Sequence, residues 1–197
     1  MSMFLQRFVD FTAHIPLRLC YFLRIRGKKN LPRGNYILVA NHGSLMDPVL
    51  MHITLPSKYI SFLCSPKLFE CPRFCQAFLS KMGAIPVKDG VRELVELKKQ
   101  AEEKRPHRLI CMFSQGLISQ DPTDFKPGAA ILAMQTGLPL VPVYLHCAPF
   151  FRGGSHICFG KPLFVEKQPG LEKKKVLALT KEIQERVYAL ANEKNKG

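Results

Sequence analysis

The chain predicts an α/β fold: a single domain with a mixed, largely parallel sheet flanked by helices, preceded by an N-terminal interfacial helical pair. Three observations carry this prediction. Short apolar, partly β-branched runs alternate with longer segments of helical periodicity. The connections between them are short, and no linker or internal repeat divides the chain. The 197 residues, 47 % hydrophobic and 22 % charged, have the composition of one globular domain, which argues against fibrous or extended disordered classes. The expected division is residues 1–30 as amphipathic, membrane-associating helices and residues 31–197 as the domain that carries the chemistry.

Residues 1–26 hold Phe4, Leu5, Phe8, Val9, Phe11, Ile15, Leu19, Tyr21, Phe22 and Leu23 with basic residues between them, and Pro16 divides them into two helical pieces. An interfacial hairpin accounts for this pattern, and so does a helix packed on the protein's own core. Six basic residues (7, 18, 24, 26, 28 and 29) face Asp10 alone. At about 1 kcal/mol per basic residue near an anionic leaflet, that balance favours a lipid surface. The uncharged stretch here runs only from Phe11 to Leu17, too short to span a bilayer. Positive charges follow the apolar residues rather than precede them, unlike an export signal. The expected location is the cytoplasmic side of a membrane, peripheral or monotopic.

After the turn residues Leu31 to Gly34, the run Tyr36 to Ala40 reads as a buried strand. A polar break, Asn41 to Asp47, precedes a helix through residue 54, for which Asp47 is the expected cap and Pro48 the first helical position. Tyr59 to Cys64 reads as a strand, Ser65 to Met82 as helix interrupted by Pro66 and Pro72, and Gly83 to Val87 as a strand. Val91 to Arg105 is amphipathic and stopped by Pro106. Arg108 to Phe113 is a strand leading into a second polar turn at Ser114. Ala129 to Thr136 reads as a helix closed by Gly137, followed by strands at Leu140 to Leu145 and Ile157 to Phe164. The last helix is expected over Leu171 to Asn192, with Lys173, Lys174 and Lys175 on a solvated first turn.

The formal charge of +14, from 29 Lys and Arg against 15 Asp and Glu, asks for an anionic partner: nucleic acid, a membrane surface or a phosphorylated substrate. No ribonucleoprotein motif, zinc finger or helix-turn-helix signature is present, so nucleic acid is not expected. The seven cysteines are scattered and odd in number, several within apolar runs, as reduced thiols acting as small hydrophobes are. Cys64, Cys71 and Cys75 lack the second matched pair of a zinc site, and no metal is expected.

The segment Asn41, His42, Gly43, Ser44, Leu45, Met46, Asp47, Pro48 lies where a strand ends and a helix begins, the edge at which α/β sheets bind ligands. Five residues apart, His42 and Asp47 would sit about 140° apart on a continuous helix, so they pair only if a turn folds the imidazole back over the helix start. Gly43 and Ser44 permit that turn. A carboxylate on one imidazole nitrogen leaves the other free to take a proton from a hydroxyl. The alternative is an Asp that only caps its helix beside an idle loop histidine.

The chain resembles the glycerolipid acyltransferase family that includes the 1-acylglycerol-3-phosphate acyltransferases. Asn41, His42 and Asp47 match its first motif, NHxxxxD, and Gly83 to Val87 is similar to the start of the second. Phe113, Ser114, Gln115 and Gly116 resemble the third, Phe125 to Ala130 the segment after it, and Val141, Pro142 and Val143 the fourth. The resemblance implies that His42 and Asp47 are the catalytic pair, with His42 as general base and Asp47 orienting it. It implies attack on an acyl-CoA or acyl carrier protein thioester by the free hydroxyl of a lysophospholipid, foremost 1-acyl-sn-glycerol-3-phosphate, with no cofactor beyond that donor. The implied partners are these substrates, an anionic membrane surface and possibly acyl carrier protein. Asn41, Ser44, Lys88, Ser114, Gln115, Gly116 and Lys126 are the implied substrate-binding residues.

The motifs depart from the family pattern in places. Asp89 stands where the family usually has arginine, with Lys88 one position earlier, and strand neighbours point to opposite faces. Gln115 replaces a glutamate, and Leu117 and Ile118 replace a threonine and an arginine, which points to an acceptor other than lysophosphatidic acid, a transacylase or a non-catalytic lipid-binding homologue as alternatives. Phe150 to Gly154 reads equally as an apolar loop dipping into lipid and as a plain turn.

Overall fold

The computed structural model describes residues 16, 19–55, 59–87, 91–102, 108–115, 118, 125–168 and 170–192. Seven strands are present among them: β1 (Arg24–Arg26), β2 (Ile37–Ala40), β3 (Tyr59–Cys64), β4 (Ala84–Pro86), β5 (Arg108–Phe113), β6 (Leu140–His146) and β7 (His156–Phe159). The α-helices are α1 (Asp47–Thr54), α2 (Arg73–Lys81), α3 (Val91–Glu102), α4 (Gly128–Thr136) and α5 (Lys173–Asn192). The strands form one sheet in the order β1-β7-β6-β2-β5-β3-β4. The five from β6 to β4 are mutually parallel; β7 is antiparallel to β6, and β1 is parallel to β7.

β2 is central and wholly buried, as its continuous apolar run requires. Its period-2 geometry divides it between two cores. Leu38 and Ala40 face Leu50, Met51 and Ile53 of α1, while Ile37 and Val39 face Leu97 of α3, Leu132 of α4 and Ile183 of α5. α5 presents Val176, Thr180, Ile183, Val187 and Leu190 inward at helical spacing, and Lys173 to Lys175 lie exposed before them.

Most expected elements are present, and the differences have local causes. The two prolines after β3 split the expected helix into a 3-10 turn, Pro66–Phe69, and α2. The expected strand from Ile157 to Phe164 stops at Phe159. There Gly160 N–H donates to Pro142 O at 2.8 Å, and Pro142 has no N–H to return, so the regular ladder breaks and pairing resumes only as a single antiparallel bridge, Leu140↔Leu163, one residue out of register. The larger correction concerns the amino-terminal segment. Arg24–Arg26 is not helical: it is strand β1, and Leu23 before it is buried in the core. Lys28 Nζ reaches Thr54 O at 3.0 Å and Asn30 Nδ2 reaches Phe159 O at 2.9 Å, so residues 23–30 belong to the sheet domain, not to a separate helical pair. Of the rest of the expected pair, Pro16, Leu19 and Cys20 are helical, and residues 1–15, 17 and 18 lie outside the described residues. No described helix is long and apolar enough to cross a membrane.

Candidate active site

The loop leaving β2 folds back on itself at the start of α1. Asp47 is nearly fully buried, and its Oδ2 receives three N–H groups: His42 Nδ1 at 3.0 Å, Gly43 N at 2.9 Å and Ser44 N at 2.9 Å. The sequence reading of Asp47 as helix cap is corrected here. No side chain caps α1, and the carboxylate is the first helical residue, turned toward the preceding loop instead of the orphan amides of its own helix. The turn that brings His42 over Asp47 is therefore tied down by the carboxylate itself. Oδ1 is buried without a hydrogen-bond partner among the described residues, so the acceptor capacity of the group is concentrated on one oxygen.

An ionised carboxylate only accepts, so the proton between the pair sits on Nδ1, and Nε2 of His42 is left as the acceptor nitrogen. The imidazole stacks on Phe113 at 4.4 Å and 25°. Phe113 stacks in turn on Phe62 at 5.8 Å, and Phe62 meets the edge of His52 on α1 at 5.3 Å. His52 Nε2 donates to Met82 O at 2.7 Å. Four rings thus run from the loop after β2 into the core and fix the imidazole plane, while the Asp47 carboxylate sets its tautomer.

The predicted residues fall into two groups. Asn41, His42, Ser44, Asp47 and Gln115 come together. Asn41 is buried and clamps β2 to β6, donating from Nδ2 to Leu145 O at 2.8 Å and accepting from Leu145 N at 2.7 Å. Gln115 is buried, and its Oε1 accepts the His42 backbone N–H at 2.7 Å. Ser44 Oγ accepts Met46 N–H at 3.2 Å and touches the Cys147 thiol. These three side chains build the loop. Ser114 and Lys126 form the second group: Lys126 N–H donates to Ser114 O at 2.7 Å, and both line a small cleft with Phe125, Ala129, Ala130, Thr180 and Ile183 that His42 does not enter. Ser114 Oγ is buried without a hydrogen-bond partner among the described residues, and Lys126 is exposed. Lys88, Asp89 and Gly116 lie outside the described residues.

Sequence reasoning missed the ring wall of Phe113, Phe62 and His52, and the Leu145 backbone that Asn41 grips. Alternating faces along β3 and β5 were the available signal for Phe62 and Phe113. Two thiols border the pair: burial first, then the Asp47 charge, pushes the Cys111 thiol well up. Burial also raises Cys147, against the lowering effect of its hydrogen bond with Ser44.

A mixed, mostly parallel sheet with a buried carboxylate holding a histidine at the carboxyl edge of its central strand is an α/β arrangement of the kind that supports acid–base chemistry. Residues 22–146 match the Acyltransferase family model, and the chain belongs to that family. It is 31 % identical over 139 residues to the chloroplastic 1-acyl-sn-glycerol-3-phosphate acyltransferase BAT2 of Brassica napus, covering 68 % of this chain and 40 % of that protein. It is 29 % identical over 127 residues to the 1-acyl-sn-glycerol-3-phosphate acyltransferase of Borreliella burgdorferi, covering 62 % of this chain and 50 % of that protein. The chain thus spans half or less of the length of these relatives. The crystal structure of the 1-acyl-sn-glycerophosphate acyltransferase PlsC from Thermotoga maritima superposes with a TM-score of 0.61 at 21 % identity, over 92 % of this chain and 76 % of that one, and shows the same fold.

Proposed function

We propose that the chain is an O-acyltransferase of phospholipid synthesis that moves an acyl group from acyl-CoA or acyl carrier protein to the free hydroxyl of a lysophospholipid. The acceptor named for the relatives, 1-acyl-sn-glycerol-3-phosphate, is the first to test; its product would be phosphatidic acid. The observation that carries the reading is the 3.0 Å contact of His42 Nδ1 with an Asp47 carboxylate that also holds two loop amides. In this mechanism Nε2 takes the acceptor hydroxyl proton as the oxygen attacks the thioester carbonyl. The tetrahedral adduct collapses, the C–S bond breaks, and the imidazolium returns the proton to the departing thiolate. Asp47 stabilises the imidazolium while it lasts. No acyl-enzyme is required, and the pair sits among residues that fix it before substrate arrives.

A second reading concerns the acceptor. Ile118, 47 % exposed, stands where the resemblance expects an arginine, and Gln115 is committed to the His42 backbone. Both favour a lysolipid whose headgroup needs no bidentate cation. One experiment separates the readings: purified chain, acyl-CoA and a panel of detergent-solubilised lysophospholipids, scored by thiol release and product mass. Turnover on lysophosphatidic acid supports the first, turnover confined to another headgroup the second. Absence of turnover across the panel would overturn both readings.

A further inference from the structure

Phe22 and Phe151 are exposed aromatics that belong to neither core cluster. β7 runs antiparallel to β6, and β1 runs with β7, so both begin at the sheet edge where β2 ends at His42. Phe22 precedes β1 and the turn Phe150–Arg152 precedes β7, which places both aromatics on that edge. With β1 three and β7 two strand positions from β2, they lie about 14 Å and about 10 Å along the edge from the His42 loop.

The two segments are joined tightly. Ser155 N–H donates to Tyr21 O at 2.7 Å, and Arg24 N–H donates to Ser155 O at 2.9 Å. Gly154 has a φ of +77°, and a Cβ there would lie 3.1 Å from Phe22 Cβ, so the aromatic turn abuts Phe22. The Ser155 hydroxyl, fully buried, accepts from Ala148 N and donates to Ala148 O, closing the loop. Cys147, one residue earlier, touches both Ser155 and Ser44. The aromatic edge is therefore wired to the loop that holds His42.

Phe22 has a φ of 41°, the one positive φ on a non-glycine among the described residues, and its ring is 55 % exposed. An aromatic in the left-handed region is strained, and core burial does not offset that strain here. Phe151 is 71 % exposed. Arg24 lies over the Phe22 ring at 5.3 Å from its centroid, and Arg152 is exposed beside Phe151. No acidic residue occurs in either segment, 19–26 or 147–156. Aromatic tips flanked by arginines, with no compensating acid, match the acyl–headgroup boundary of an anionic leaflet.

We propose that Phe22 and Phe151, with Arg24 and Arg152, form a membrane-docking edge that seats the His42 loop against an anionic lipid surface. The proposal rests on the reading of a lipid acceptor, and its test is separable from turnover. The sequence contains no tryptophan, so Phe151→Trp in the full chain is a single-site reporter. On vesicles of phosphatidylcholine with phosphatidylglycerol its emission should shift to the blue and be quenched by acyl-brominated lipid. Phe22→Asn, in which asparagine tolerates the backbone, should fold at least as well as the parent and bind these vesicles about tenfold more weakly. Arg24→Gln with Arg152→Gln should lose about tenfold on anionic vesicles and nothing on pure phosphatidylcholine. Turnover on a monodisperse short-chain lysolipid should persist in all three. Reporter emission that stays unshifted on protein that sediments with the vesicles overturns the proposal, as does the absence of sedimentation. A blue shift that follows protein concentration without vesicles overturns it in favour of a second copy of the chain.

Discussion

The Gln115 side chain accepts the backbone N–H of His42 at 2.7 Å, so the turn after β5 holds the loop after β2 from the neighbouring strand. Ser114 N–H completes the link by donating to Ala40 O at 3.1 Å. Position 115, which the motif comparison marks as drifted, is occupied by a residue whose carbonyl builds the site. The first prediction follows directly. Gln115→Ala should destabilise the fold by about 1–3 kcal/mol, because a partly buried amide loses its acceptor. Gln115→Glu keeps an acceptor in place but buries a carboxylate at a position 1 % exposed, so at neutral pH it should also unfold below the parent. Urea midpoints measure both losses, and equal midpoints for parent and Gln115→Ala would remove the bond from the account.

His42→Ala should reduce thiol release by at least about a thousandfold per folded molecule, with the melting curve recorded alongside because the imidazole is only 16 % exposed and its loss removes one donor from Asp47. Asp47→Asn should cost about 10²- to 10⁴-fold, because an amide no longer fixes the proton on Nδ1. The double variant should be no worse than His42→Ala alone. Additive losses would show that the two residues act separately.

Asn41→Ala should lower stability by about 2–4 kcal/mol, since it leaves both the N–H and the C=O of Leu145 unpaired in a buried setting. The loss should appear in the urea midpoint and as faster amide exchange at Leu145. An unchanged exchange rate there would argue that other groups satisfy that backbone.

The thiols set an alkaline limit. Burial pushes Cys64 from 9.0 to about 11, and burial followed by the Asp47 charge raises Cys111. A thiol whose pKa is higher folded than unfolded contributes stability that is complete below the unfolded value and lost as pH rises through the folded one. Stability should therefore be level from pH 7 to about 9 as far as the thiols are concerned, and fall between 9 and 11. Tyr36, raised by burial from 10.0 to about 12, extends the fall upward. Cys64→Ala should flatten the 9 to 11 segment of a urea-midpoint profile; an identical slope in that variant would sink the assignment.

Local pattern decided much of this architecture. Continuous apolar runs at residues 37–40 and 109–113 demanded burial on both faces, and prolines 66 and 72 broke one helix into two pieces where they stand. β1 was illegible because Arg24, Ile25 and Arg26 carry no strand pattern strong enough to compete with the surrounding helical spacing. It exists because β7 offers a partner at Arg24↔His156 through Arg26↔Cys158.

The sequence by itself determined that a histidine and an aspartate stand five apart at a strand-to-helix junction, with a run of ordered motifs behind them. Only the tertiary structure decided what Asp47 does: its carboxylate turns away from its own helix to collect His42, Gly43 and Ser44, a choice made by the path of the loop and invisible to spacing. The same holds for Gln115 and Asn41, whose partners are 73 and 104 residues distant in the chain. Periodicity reports which face of an element is buried; hydrogen bonds between strands that are remote in sequence depend on the order in which the sheet assembles them.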